Sequence, residues 1–148
     1  GRAGRYFPDG KVIVQTLRPK DPTITRACAM DVEGFFSEEI RQREMLGFPP
    51  HSRLIRVTFR SKDQERTNRE AEKMAAHLRK LVPKDAGILG PAECPIGIIA
   101  GNYRRHIIIR GKSMGTLHGA VRTAVERFEG ERDNRVYMEL DVDPVSLL

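Results

Sequence analysis

Ile55-Arg56-Val57-Thr58-Phe59-Arg60 alternates apolar and polar side chains without a break, and the run Ser61-Lys62-Asp63-Gln64 follows it directly. A period of two puts Ile55, Val57 and Phe59 on one face of a strand and Arg56, Thr58 and Arg60 on the other. Ser61 to Gln64 carries the residue types that cap a helix start. Beyond it Ala71, Met74, Ala75, Leu78 and Val82 fall on one helical stripe until Pro83 ends it. A half-buried strand running into an amphipathic helix is the first half of a layered α+β domain.

The same unit recurs downstream. Ile88 to Cys94 reads as an irregular strand broken by Pro91 and Pro95, and Tyr103 to Arg110 as a third strand, joined through Gly97 and Gly101. Ser113 then caps a helix with Leu117, Ala120, Val121, Ala124, Val125 and Phe128 on its apolar side, closing near Gly130. Val136, Met138, Leu140 and Val142 alternate with Arg135, Tyr137, Glu139 and Asp141 to make the fourth strand. The order β-α-β-β-α-β predicts a ferredoxin-like fold of the α+β class, a four-stranded antiparallel sheet with two helices on one face.

Upstream the pattern is less regular. Pro8-Asp9-Gly10 signals a turn, and Lys11-Val12-Ile13-Val14-Gln15-Thr16 reads as a stray strand with no local partner. Asp21-Pro22 opens a helical region in which Val32, Phe35, Phe36 and Ile40 recur at helical spacing, and it ends at Gly47 before Phe48-Pro49-Pro50. Three segments follow from this reading: 1–20, a helical connector over 21–50, and the ferredoxin-like domain over 51–148.

Composition narrows the function. The 148 residues are 39% hydrophobic and 31% charged, which suits a folded protein, and no apolar run approaches the roughly 20 residues that span a bilayer. No signal peptide is visible, and the absence of an initiator methionine predicts a piece of something larger. Cys28 and Cys94 stand far apart without a CxxC or Cys/His cluster, so neither zinc nor a disulfide is expected in this chain, and a reducing, cytoplasmic setting fits. Net charge is +6, and it is concentrated. Residues 1–20 hold Arg2, Arg5, Lys11, Arg18 and Lys20 against Asp9, while 101–112 hold Arg104, Arg105, Arg110 and Lys112 against no acid.

The sheet face turned away from the helices would carry Arg56, Thr58, Arg60, His106, Arg110 and Tyr137, with Glu139 and Asp141 beside them. Such a surface suits single-stranded nucleic acid, although a covered or simply solvated face accounts for the same residues. No nucleophile and base fall at a usable spacing around His51, His77, His106 and His118, and no phosphate-binding GxxxxGK[ST] loop is present. Asp141 and Asp143 end a strand before Pro144, an ordinary place for aspartates, and no metal is expected there. Gly1-Arg2-Ala3-Gly4-Arg5 presents two guanidinium groups between glycines, in the manner of a γ-phosphate clamp or of a basic loop.

Together, Gly1 to Arg5, Val12 to Thr16, Glu39 to Arg43 leading to Leu46-Gly47-Phe48-Pro49-Pro50, Leu89-Gly90-Pro91, Gly101-Asn102-Tyr103-Arg104 and Asp141-Val142-Asp143-Pro144 resemble the C-terminal part of the bacterial primosomal replication-restart helicases, the PriA or primosomal protein N′ family. The resemblance covers the whole chain. It implies that residues 1–20 are a remnant of the second helicase lobe, with Arg2 and Arg5 reaching the ATP γ-phosphate in the intact parent. It implies a parent that unwinds DNA 3′ to 5′ with ATP and Mg²⁺ and holds zinc by cysteines upstream. It makes the remainder a non-catalytic accessory domain for branched forks, single strands and other primosome proteins, packed on the helicase core. The family segment Gly-Arg-Tyr-Arg-Trp-Gln helps to dock the acidic tail of single-stranded DNA-binding protein. Here it is Gly101-Asn102-Tyr103-Arg104-Arg105-His106, with three changes that weaken that expectation. The candidate DNA- or partner-binding residues are Arg56, Arg60, Tyr103, Arg104, Arg105, His106, Arg110 and Lys112. Two further readings stay open: a docking module that braces the helicase lobes with little DNA contact, and a free-standing nucleic-acid-binding domain.

Overall fold

The structure, a computed structural model, describes residues 10–145. The chain packs as two units divided between Gln42 and Arg43.

In the first unit, α1 (Pro22–Ala29) starts where the Asp21 side chain accepts a hydrogen bond from the Thr23 amide at 2.9 Å, with Pro22 in the first turn, where its missing N–H costs nothing. Met30, at φ 56°, ends it in a left-handed cap. A second helix, α2 (Val32–Leu46), restarts immediately, with Asp31 accepting from the Gly34 amide at 2.9 Å, and its last residues, from Arg43 on, belong to the second unit. The helical region is therefore two helices, because a left-handed residue cannot lie inside one. Lys11–Thr16 forms no strand, which corrects the expectation. The physical reason is the missing partner: an extended segment gains its hydrogen bonds only in a ladder, and none is offered among the described residues.

The second unit carries the predicted fold. Its elements are β1 (Arg53–Ser61), α3 (Gln64–Leu81), β2 (Gly87–Ile99), β3 (Asn102–Gly111), α4 (Met114–Glu129) and β4 (Tyr137–Val142). The sheet order is β2-β3-β1-β4, antiparallel throughout, so the two half-buried strands β1 and β3 lie at the centre. Asp63 caps α3 by accepting from the Arg66 amide, and Ser113 caps α4 by accepting from the Thr116 amide. Against one face of the sheet, Ile55, Val57, Phe59, Ile107 and Ile109 meet Ala71, Met74, Ala75 and Leu78 of α3 and Leu117, Val121, Ala124 and Phe128 of α4. Phe59 and Phe128 touch edge to face, ring centroids 5.8 Å apart.

The strand β2 runs further than its prolines suggested, through both Pro91 and Pro95. It is an edge strand, where a missing amide breaks no ladder, and it absorbs the irregularity as register shifts between Leu89 and Ala92 and between Glu93 and Ile98. Ala100 (φ 49°) and Gly101 (φ 72°) then form a tight left-handed turn into β3. This turn sets the position of Asn102 at the same end of the sheet as the end of β1.

Candidate nucleic-acid interface

Strand alternation divides the sequence candidates between the two sheet faces. Arg56 and Arg60 of β1 and Arg104, His106 and Arg110 of β3 lie opposite the core-facing isoleucines, as do Tyr137, Glu139 and Asp141 of β4. Tyr103 and Arg105 share the parity of Ile107, and Arg105 Nε donates to Asn68 Oδ1 of α3 at 2.7 Å. These two therefore belong to the helix side. Lys112 is exposed in the connection from β3 to α4, at the other end of β3 from Asn102.

Most of the face turned from the helices is spent on internal contacts. Arg56 donates to Asp141 at 2.9 Å, Arg110 donates to the Leu46 carbonyl, and Arg104 donates to the Ile96 carbonyl at 3.1 Å. Arg53 holds Asp143 in the same manner as Arg56 holds Asp141, so both aspartates near the end of β4 are paired with arginines. His106 is buried, and its Nδ1 has no hydrogen-bond partner among the described residues. Burial, with the Arg56 and Arg104 charges added, pushes its pKa below the usual histidine value, so the ring stays neutral at neutral pH. Cys94, also buried, has its thiol pushed up by the same loss of solvent. The middle of the face thus mixes engaged arginines with the buried Leu54, Ile108 and His106.

The end of the sheet is different. A cavity of about 610 Å³ opens there, lined by Arg60, Ser61, Lys62, Asp63, Arg66, Asn102, Arg135 and Tyr137. Antiparallel pairing gathers them: Ser61 lies opposite Tyr103 and Arg60 opposite Tyr137, so the end of β1, the start of α3 and the starts of β3 and β4 converge. Four cations face one carboxylate in this lining. Arg66 reaches Asp63 at 2.7 Å and Asp133 at 3.5 Å, and Arg135 reaches Asp133 at 2.9 Å. These partners draw the Asp63 and Asp133 carboxyls below the usual carboxylate range. For Asp63 the amide bond from Arg66 contributes most, and for Asp133 the Arg135 side chain does. Exposed pairs of this kind are weak and yield to a competing anion. Arg60 and Lys62 have no carboxylate partner among the described residues, and the Arg60 guanidinium lies 4.3 Å from the centroid of the Tyr137 ring.

The sequence reading named Arg60 but omitted Lys62, Arg66 and Arg135. Each is dispersed in sequence, and only the antiparallel order brings them to one end. The signal was available for two of them, since Lys62 and Arg135 flank strand ends that the βαββαβ order places together, whereas Arg66 lies in the first turn of α3. What the lining can do is hold phosphate oxygens and offer an aromatic face. Ser61 Oγ is 2.7 Å from Thr67 Oγ1 in the buried cap of α3, so it is not a free nucleophile. Among the described residues no three His, Cys, Asp or Glu side chains gather as a metal site, and Arg2 and Arg5 lie outside those residues.

The fold and the groove define a class: a ferredoxin-like α+β module with an anion-attracting cleft at one sheet end. Residues 44–145 match the family described as the Primosomal protein N C-terminal domain, and the chain belongs to that family. It is 41% identical over 148 residues to the replication restart protein PriA of Treponema pallidum, spanning 22% of that protein. It is 34% identical over 147 residues to PriA of Synechocystis, spanning 17%, and 30% identical over 149 aligned positions to PriA of Bacillus subtilis, spanning 18%. The chain thus covers about a fifth of the length of these relatives.

Proposed function

We propose that this chain is the accessory C-terminal part of an ATP-dependent DNA helicase that restarts stalled replication forks, and that it binds DNA without catalysing a reaction itself. The groove at the end of the sheet carries this reading: Arg60 and Lys62, free of carboxylates among the described residues, stand beside Arg66, Arg135 and Tyr137. Cations so placed make phosphate contacts that are indifferent to base sequence and sensitive to salt. Membership of a replication-restart family supports DNA forks and primosome proteins as the partners.

In this reading residues 1–20 complete the second helicase lobe, 21–50 connect it to the DNA-binding domain, and Arg2 and Arg5 contact ATP across the lobe cleft. ATP, Mg²⁺ and zinc belong to the rest of the parent. Arg104 and Arg105 supply charge for the acidic tail of single-stranded DNA-binding protein, although the first already donates to the Ile96 carbonyl and the second to Asn68. A chromosomal task places the protein in the cytoplasm; no helix among the described residues is long and apolar enough to cross a membrane.

Titration with forked and single-stranded DNA at low and at moderate salt tests the reading. Binding that weakens steeply with salt and ignores sequence is expected, and absence of binding in both conditions refutes it. A second reading, a brace between helicase lobes, is favoured by Met30, Val32, Phe36 and Ile40, which stand exposed on the helical unit. Charge reversal at Arg60 and Lys62 in the intact parent separates the two, because a brace leaves fork affinity unchanged.

A further inference from the structure

We propose that Arg60 and Tyr137 form a base-stacking platform that selects unpaired nucleotides, so that the groove takes single-stranded rather than duplex segments; this rests on the DNA-binding reading above. The geometry begins with Tyr137, which is 56% exposed and belongs to β4, an edge strand. Phe59 and Phe128 are consumed by the core, and Tyr103, half-buried at the same end, has the parity of the helix-side residues, so among the described residues Tyr137 is the exposed ring on the face turned from the helices. Arg60 stacks on that ring and extends it, since a guanidinium plane over an aromatic face presents a second flat surface of similar size. A base inside a duplex already has both faces covered by its neighbours. Only an unstacked base can lie against this pair.

Charge orients the strand. Lys62 and Arg66 stand on one side of the platform, while the exposed Glu139, two residues beyond Tyr137 on the same face, stands on the other. Phosphates are drawn to the lysine side and repelled from the glutamate side, which turns the bases toward Tyr137. A cavity of about 610 Å³ has room for a nucleotide unit, being within the roughly 300–1,000 Å³ of ligand pockets. The start of α3 adds no open anion site, because Asp63 already occupies it.

The test uses the 148-residue chain and two labelled oligonucleotides of equal length and charge, an oligothymidylate and its fully abasic counterpart, together with a duplex of the same length. Because the chain has no tryptophan, tyrosine emission can be followed, and the part of its quenching that disappears in Tyr137→Phe reports stacking at Tyr137 over the background of Tyr6 and Tyr103. Wild type is expected to bind the base-bearing strand roughly tenfold more tightly than the abasic one, the size of one good stack. Tyr137→Leu should abolish that ratio, Tyr137→Phe should keep it, and Lys62→Ala should weaken both strands alike. Equal binding of both strands by wild type overturns the platform while leaving phosphate binding intact, as does a ratio that survives Tyr137→Leu. Displacement of the oligothymidylate by an acidic peptide of equal charge, at equal concentration, also overturns it and makes the groove a peptide site. No binding of any oligonucleotide removes the DNA-binding reading as well.

Discussion

His106 concentrates the physical tension of this molecule in one side chain. It lies buried in the sheet with Arg56 and Arg104 nearby, and its direct neighbours across the ladder, Thr58 and Ala92, do not titrate. Its folded pKa is lowered, so the unfolded chain takes the proton more readily than the folded one. Stability from this residue is complete above the unfolded value of about 6.5 and falls as pH drops through it toward the folded value. His106→Gln should flatten the dependence of the denaturation midpoint between about pH 7 and pH 5. An unchanged slope in that variant would show that the ring is not buried neutral. The carboxylates act in a separate window: Asp63, Glu131, Asp133 and Asp143 are all lowered by hydrogen-bonded partners, and their contribution disappears only in stronger acid.

Among the elements, β2 shows how a fold tolerates a sequence that argues against it. Gly90, at φ 99°, lets the strand pass Pro91, and a Cβ there would sit 2.7 Å from the His106 carbonyl oxygen and 2.9 Å from the Ala92 amide. Both are backbone atoms of the sheet and cannot step aside. Gly90→Ala should therefore lose about 2 kcal/mol or more, read from chemical denaturation. Phe128→Ala should cost about 3–5 kcal/mol in the same assay, since it removes a fully buried ring from the contact between α4 and β1. The alternation in β1 and the stripes of α3 and α4 were legible because each has one wet and one dry face. The extent of β2 was not, because its prolines matter only if the strand is central, and edge position is a property of the whole sheet. The groove was half legible for the same reason: Arg60 stands in a clear pattern, whereas Lys62, Arg66 and Arg135 acquire meaning only from strand order. The break at Met30 left no strong mark, since methionine is an ordinary helix residue.

For the molecule as a whole, the core belongs to Arg43–Leu148, while α1 and α2 contain no buried residue. Cysteine labelling reads this division directly. Cys28 is exposed and Cys94 is buried with its thiol pushed up, so a maleimide should modify Cys28 at once and Cys94 only on unfolding, as mass spectrometry would record. Comparable rates at both would contradict the burial of the sheet face. In the proposed function DNA lies along the cations at the end of the sheet. The most direct measurement is the salt dependence of fork binding by the wild-type chain and by the double variant Arg60→Gln, Lys62→Gln. Loss of two phosphate contacts should reduce the slope of log affinity against log salt by about 1.5, with weaker binding at every salt concentration. An unchanged slope and affinity would place the DNA elsewhere.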